Sequence, residues 1–135
     1  MPEGSQPIIV RPADRSQDAN AQTDGMIRET AFSTEDLWVG VVTTAPGEMS
    51  AWHHHGDHET YAYVATGSKH IEFGPGGNRS IVAGPGDLIH IPKGMVHREG
   101  NPSAETSRSI AFRLGRGPVT VNVQGPPQGG SPPSS

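Results

Sequence analysis

The sequence predicts an all-β domain, an antiparallel jelly-roll β-barrel with few or no helices. Three observations carry this expectation. Short β-branched or alternating apolar runs recur along the 135 residues, divided by Gly/Pro turn signals at intervals of roughly 8–12 residues, the spacing of sandwiches and barrels. Glycine (18) and proline (13) are abundant while hydrophobic residues make up 32%, a balance that suits strands and turns with polar ends. No long stretch carries helical periodicity. The length fits one domain.

Residues 1–25 read as an N-terminal arm, partly mobile, polar except for Ile8-Ile9-Val10, which can form an edge strand. Residues 14–24 have little to bury and read as a loop. The barrel is expected over residues 26–123. Met26–Phe32 opens it, with Arg28 and Glu29 in its middle. Leu37–Thr44 is β-branched, apolar on both faces and closed by Pro46-Gly47. Thr60–Ala65 stops at Gly67. Lys69–Phe73 alternates, and Gly74–Asn78 is a turn. Arg79–Ala83 leads to Gly84–Asp87, Leu88–Ile91 runs to Pro92, and Met95–His97 follows Gly94. Ser109–Leu114 sets Ile110, Phe112 and Leu114 on one face, and Val119–Val123 can add an edge. Residues 124–135 hold only Gly, Pro, Ser and Gln and are expected to be disordered.

Composition removes several functions. Net charge is −4 with neutral histidines and no basic cluster occurs, so nucleic acid and membrane are not expected partners. Cysteine is absent, which excludes disulfides, a thiolate nucleophile and Cys-type zinc sites. Met1–Gln6 has no basic or apolar segment of a secretory signal, and no apolar run approaches the ~20 residues of a membrane span. A cytoplasmic location is the expectation.

Four of seven histidines fall in Trp52-His53-His54-His55-Gly56-Asp57-His58-Glu59-Thr60-Tyr61. Residues two apart in a strand share a side, so His53 and His55 project together and His54 points away. Glu59 returns on the next segment and can face the same centre. Two imidazoles and a carboxylate form a mixed N/O site for Fe, Mn, Co, Ni or Zn. His97, beyond Pro92-Lys93-Gly94, is the natural further ligand. His58 is a candidate proton carrier at the cavity mouth, and Tyr61 a candidate acid/base beside the metal. Tyr63, Trp38, Met95 and Phe112 are candidates for cavity lining. Arg28, Arg79 and Arg113 are equal candidates to meet an anionic substrate.

Gly47-x5-His53-x-His55-x3-Glu59-x7-Gly67 resembles the first motif of the cupin superfamily, and Gly86-x5-Pro92-x-Gly94-x2-His97-x3-Asn101 resembles the second. The first departs by one residue, since six usually separate its Glu from the last Gly. The 18 residues between Gly67 and Gly86 are a permitted intermotif length. The resemblance covers about residues 37–115 and implies a small single-domain cupin with one divalent transition metal per chain held by His53, His55, Glu59 and His97. Iron is the first expectation, with Mn, Ni, Zn or Co as alternatives. It also implies a mononuclear enzyme on a small-molecule substrate. Dioxygenase-type oxidation stands first; the alternatives are a non-oxidative lyase, isomerase or decarboxylase, or a non-catalytic ligand-binding cupin. His-x-His-x3-Glu-x-Tyr is also similar to the spacing in cupin lyases that cleave dimethylsulfoniopropionate. Asn101 is expected to be structural. A homodimer is expected, with the leading strand covering an exposed edge.

Overall fold

The computed structural model describes residues 6–128. Among them ten strands form: β1 (Ile27–Ser33), β2 (Leu37–Thr44), β3 (His53–His54), β4 (Glu59–Thr66), β5 (Lys69–Phe73), β6 (Arg79–Ala83), β7 (Leu88–Ile91), β8 (His97–Gly100), β9 (Ser107–Leu114) and β10 (Val121–Asn122). One sheet has the order β1-β2-β9-β4-β7 and the other β10-β3-β8-β5-β6. All pairings between these strands are antiparallel. Among the described residues helical structure is confined to three 3₁₀ turns, Pro12–Asp14, Ala19–Ala21 and Pro75–Gly77. No helix among the described residues is long and apolar enough to cross a membrane.

Turn chemistry sets the strand ends. Gly67, between β4 and β5, has φ +66°, and a Cβ there would lie 2.7 Å from Ser107 Cα. Both the backbone conformation and the close approach require glycine. Asn101, after β8, is fully enclosed: its Nδ2 donates to the carbonyls of Thr44 and Glu105, and its Oδ1 accepts from Ser103. It ties three segments together and is structural.

The interior divides along the strands. One apolar cluster joins Ala62, Val64, Ile71, Ala83, Ile89 and Ile91, with Phe73 and Met95 packed on it. Each large aliphatic side chain buried there contributes about 1.5–3 kcal/mol. A second joins Met26, Trp38, Val42 and Ala111, with Val119 against it. Strand β9 keeps Ile110, Phe112 and Leu114 on one face and turns that face outward; its buried side is Ser107, Ser109, Ala111 and Arg113. Phe112 is 43% exposed and lines no interior pocket.

Two expectations for the N-terminal arm are corrected. Ile8-Ile9-Val10 forms no strand, and Ile8 is 69% exposed. Residues 14–24 are docked. Ser16 bridges Thr30 on the edge of β1, and Ala21 and Thr23 are buried. The Gln22 amide donates to the Arg28 carbonyl and accepts from the Arg28 N–H, both at 2.8 Å. A polar side chain thus does the work of a missing edge strand. The expectations for residues 1–5 and 129–135 lie outside the described residues.

Candidate metal centre

His53 on β3 pairs directly with His97 on β8. Their rings are 4.4 Å apart, and His55 stands 5.2 and 5.1 Å from them. All three rings are buried. Each ring is oriented by the main chain. Nδ1 of His53 donates to the Ala51 carbonyl, Nδ1 of His97 to Met95, and Nδ1 of His55 to Val119, each at 2.9 Å. A neutral imidazole that donates from Nδ1 carries its lone pair on Nε2. Three Nε2 lone pairs are therefore aimed by backbone contacts, as in metal-ligating histidines.

The carboxylate of the cluster is Glu99, not Glu59. His53, His55, His97 and Glu99 each offer a ligand atom, and these atoms lie within 4.8 Å of one another. Glu99 Oε2 is 3.1 Å from His53 Nε2 and 3.5 Å from His97 Nε2. Its Oε1 is 2.5 Å from Lys69 Nζ. Burial pushes Glu99 up, but the Lys69 ammonium and the facing imidazoles outweigh it and hold the carboxyl well below its ordinary range. Burial pushes His53 down to about 4, so its ring is neutral. One proton cannot serve both the Ala51 carbonyl and the Glu99 carboxylate. A cation among the Nε2 atoms resolves that conflict and also partners His55 Nε2 and His97 Nε2, which are buried without a hydrogen bond. The donor set of three imidazoles and one carboxylate fits a divalent transition metal.

Strand parity explains the displacement of Glu59. On β4 the inward residues are Thr60, Ala62 and Val64. With seven residues before Gly67 instead of six, the glutamate falls on the outward phase and Thr60 takes the inward place. Glu59 is half-exposed and accepts from His90 Nε2 at 2.8 Å and from the Lys93 N–H at 3.3 Å. The His90 contact, against a small opposing desolvation, holds its carboxyl below the ordinary range. Tyr61 shares this phase: it is 44% exposed and stacks on His90 at 4.9 Å. Tyr63 is exposed on the same face. Neither tyrosine reaches the centre. His58 does lie close. It is buried, its Nδ1 donates to the His55 carbonyl at 2.9 Å, and it lines a cavity of about 270 Å³. His54 turns away, as its parity requires, and accepts from the Gly56 N–H.

Sequence reasoning passed over Glu99 and Lys69. The signal for Glu99 was its place two residues after His97 on one strand, which puts both on one side. The sequence does not distinguish Arg28 and Arg113 from Arg79; the first two are buried, while Arg79 is exposed. Arg28 Nη1 donates to the Ala21 carbonyl and Thr23 Oγ1. Arg113 stacks its guanidinium on Trp38 at 4.4 Å. Burial, then the nearby Arg113 charge, pushes His55 well below its usual range.

Solved structures share this architecture. Oxalate decarboxylase from Bacillus subtilis superposes with a TM-score of 0.65 at 21% identity, over 76% of this chain and 29% of that one. This chain therefore spans less than a third of the length of that enzyme. An uncharacterised conserved protein with a double-stranded β-helix domain from Klebsiella pneumoniae matches with a TM-score of 0.67 at 19% identity, over 92% of this chain and 96% of that one. At these identities the likeness speaks for the fold. No curated protein matches the chain. The family model for the cupin domain matches residues 40–112, a span that runs from β2 into β9 and contains His53, His55, His97, Glu99 and Lys69. The two antiparallel sheets, the clustered imidazoles and this match agree: the chain belongs to the cupin family.

Proposed function

We propose that this protein is a mononuclear metal-dependent enzyme acting on a small organic molecule, with dioxygenase-type oxidation as its reaction. The observation that carries the proposal is the set of three Nε2 atoms fixed by main-chain acceptors around Glu99. His53, His55, His97 and Glu99 would hold one divalent ion, iron in the first instance and otherwise Mn, Ni, Zn or Co. Such an ion supplies Lewis acidity and, as Fe(II), electrons for dioxygen. The chain's own part is to fix the three rings, to keep Glu99 ionised through Lys69 and to exclude water. His58, on the cavity wall, carries protons between that cavity and the buried site.

A second reading, non-oxidative decarboxylation or lysis, is supported by the fold likeness to oxalate decarboxylase, an enzyme described with Mn(II) centres. The assembly we propose is a homodimer that covers the outward apolar face of β9 and β4, not one joined through Ile8–Val10.

Elemental analysis tests the centre. Protein purified without added metal is expected to carry about one transition metal per chain. The His53→Ala/His97→Ala double variant should lose it, Glu99→Gln should bind it about 10–100-fold more weakly, and Glu59→Ala should keep it. Retention by the double variant overturns the site. Oxygen-electrode traces with Fe(II)-loaded protein and a panel of diketones, catechols and flavonols should show uptake. Anaerobic turnover of a carboxylic acid without uptake would favour the second reading.

A further inference from the structure

The barrel interior holds more positive charge than it can neutralise. Arg28, Lys69 and Arg113 are all buried, and Glu99 is the only buried carboxylate among the described residues. Glu99 is already engaged by Lys69 at 2.5 Å. Arg28 is 0% exposed and Arg113 2%, yet Arg28 Nε, Arg113 Nε and Arg113 Nη1 have no hydrogen-bond partner. Three buried hydroxyls, on Thr60, Ser109 and Thr120, are also without one. An unpaired guanidinium N–H away from water costs several times what an ordinary hydrogen bond contributes. A divalent ion at the histidine cluster would add to the imbalance.

The placement of these groups is not scattered. Arg113 lies opposite Trp38 on β2 and Thr60 on β4. Both guanidiniums feel the Glu99 charge, and Arg113 also feels that of Arg28. Burial takes Arg113 down to about 9, with the Arg28 charge adding to it, and takes Arg28 to about 10. The cavity of about 270 Å³ adjoins this region. Its walls include Ala21, whose carbonyl holds Arg28, Val119, whose carbonyl holds His55, and Thr120. Neither arginine is itself on that wall, which also carries Asp18 and Glu35, and a cavity of that volume admits only a small molecule.

We propose that Arg28 and Arg113 form an anion subsite beside the three-histidine cluster, and that the substrate is a small carboxylate whose charged end is held there. The planar forked donors of arginine match a carboxylate, and a desolvated guanidinium gains most from one. Trp38 holds the Arg113 plane from behind, so that Nε and Nη1 remain available. This assignment deepens the proposed function and rests on its placing of the reacting centre at His53, His55 and His97.

The test separates the two. Malonate is titrated calorimetrically into metal-free and metal-loaded full-length protein at pH 7, alongside the uncharged malonamide. Malonate should bind the metal-free protein and malonamide should not. Arg113→Gln and Arg28→Gln should each weaken malonate at least about tenfold, the loss of a charge-assisted hydrogen bond, with metal content unchanged. The exposed Arg79→Gln should bind malonate as the parent does. Arg113→Lys, which keeps the charge and loses the fork, should fall between Gln and Arg. Equal binding of malonate and malonamide by the unsubstituted protein, or no malonate binding at all, overturns the subsite without recourse to any variant. Malonate binding by a protein that holds no metal under any loading leaves the subsite standing and removes the metal centre.

Discussion

Strand β9 presents Ser107, Ser109, Ala111 and Arg113 to the interior and Ile110, Phe112 and Leu114 to the outside. Strand β4 does the same at its first residues, with Thr60 inside and Tyr61 and Tyr63 outside. Further along β4, and on β5 and β7, the order is the usual one, with Ala62, Val64, Ile71, Ile89 and Ile91 enclosed. The contrast shows that one end of the barrel is packed for stability and the other is reserved for charge. Around the histidines the interior mixes charged groups with the small cluster of Met26, Trp38, Val42 and Ala111, and the apolar residues Ile110, Phe112 and Leu114 stand on the outer face. Stability there rests on hydrogen bonds and ion pairs, which cost much when broken and add little when intact.

Breaking the ion pair of the charged end should have the largest effect. Lys69→Met leaves Glu99 buried beside no ammonium, and about 3–5 kcal/mol of stability should disappear. Urea unfolding of the metal-free protein measures it. Replacing both Lys69 and Glu99 by methionine should recover most of that loss while abolishing metal binding, which separates folding from function at one pair.

Acid should weaken the same end next. The unfolded chain protonates His53 near 6.5, and the folded chain only near 4 because burial opposes the charge. Between these values the unfolded state binds more protons, so stability rises with pH and is lost as pH falls through that window. On the order of 3 kcal/mol is at stake in the metal-free protein. Glu99, also held low in the fold, extends the loss below the ordinary carboxylate range. Urea midpoints of metal-free protein between pH 7 and 4 should fall; a flat profile would mean that the imidazolium is accommodated.

The outer face should respond least in stability and most in mass. Phe112→Glu changes an outward residue, so unfolding free energy should move by no more than about 0.5 kcal/mol and metal content not at all. Light scattering should report a dimer for the parent and a 14.2 kDa monomer for the variant. A monomeric parent would leave the outward apolar face without the partner proposed for it.

Much of the barrel was legible beforehand. Leu37–Thr44, Lys69–Phe73, Arg79–Ala83 and Leu88–Ile91 coincide with β2, β5, β6 and β7, because β-branched runs bounded by Gly/Pro turns leave little freedom in where a strand ends. His53 and His55 were legible because His-x-His puts two side chains on one side of an extended segment, and His97 because of its place after Pro92-Lys93-Gly94 in the second motif. The carboxylate was not. Its position depended on the phase of β4, and a single residue in the spacing to Gly67 reverses every side chain upstream. Tyr61 moved outward with Glu59 for the same reason. The docked arm was hidden as well, since Gln22, Thr23 and Ser16 carry no apolar signal and act only through specific hydrogen bonds.

The three carbonyls that orient the histidines have different reach. Ala51 and Met95 each lie two residues before the ring they hold, so those two ligands are oriented by their own loops. Val119 is 64 residues from His55 and lies beyond the stretch that matches the family. Because all three acceptors are main chain, substitution at 51, 95 or 119 leaves the acceptor atom in place, and the orientation of the rings is shielded from point mutation. The exception is geometric. Whatever shifts the segment between β9 and β10 moves the Val119 oxygen and releases one ring of three. Apart from the three histidines themselves, evolutionary drift in metal affinity therefore has a short list of routes: Glu99, Lys69, or the path of the backbone after Leu114.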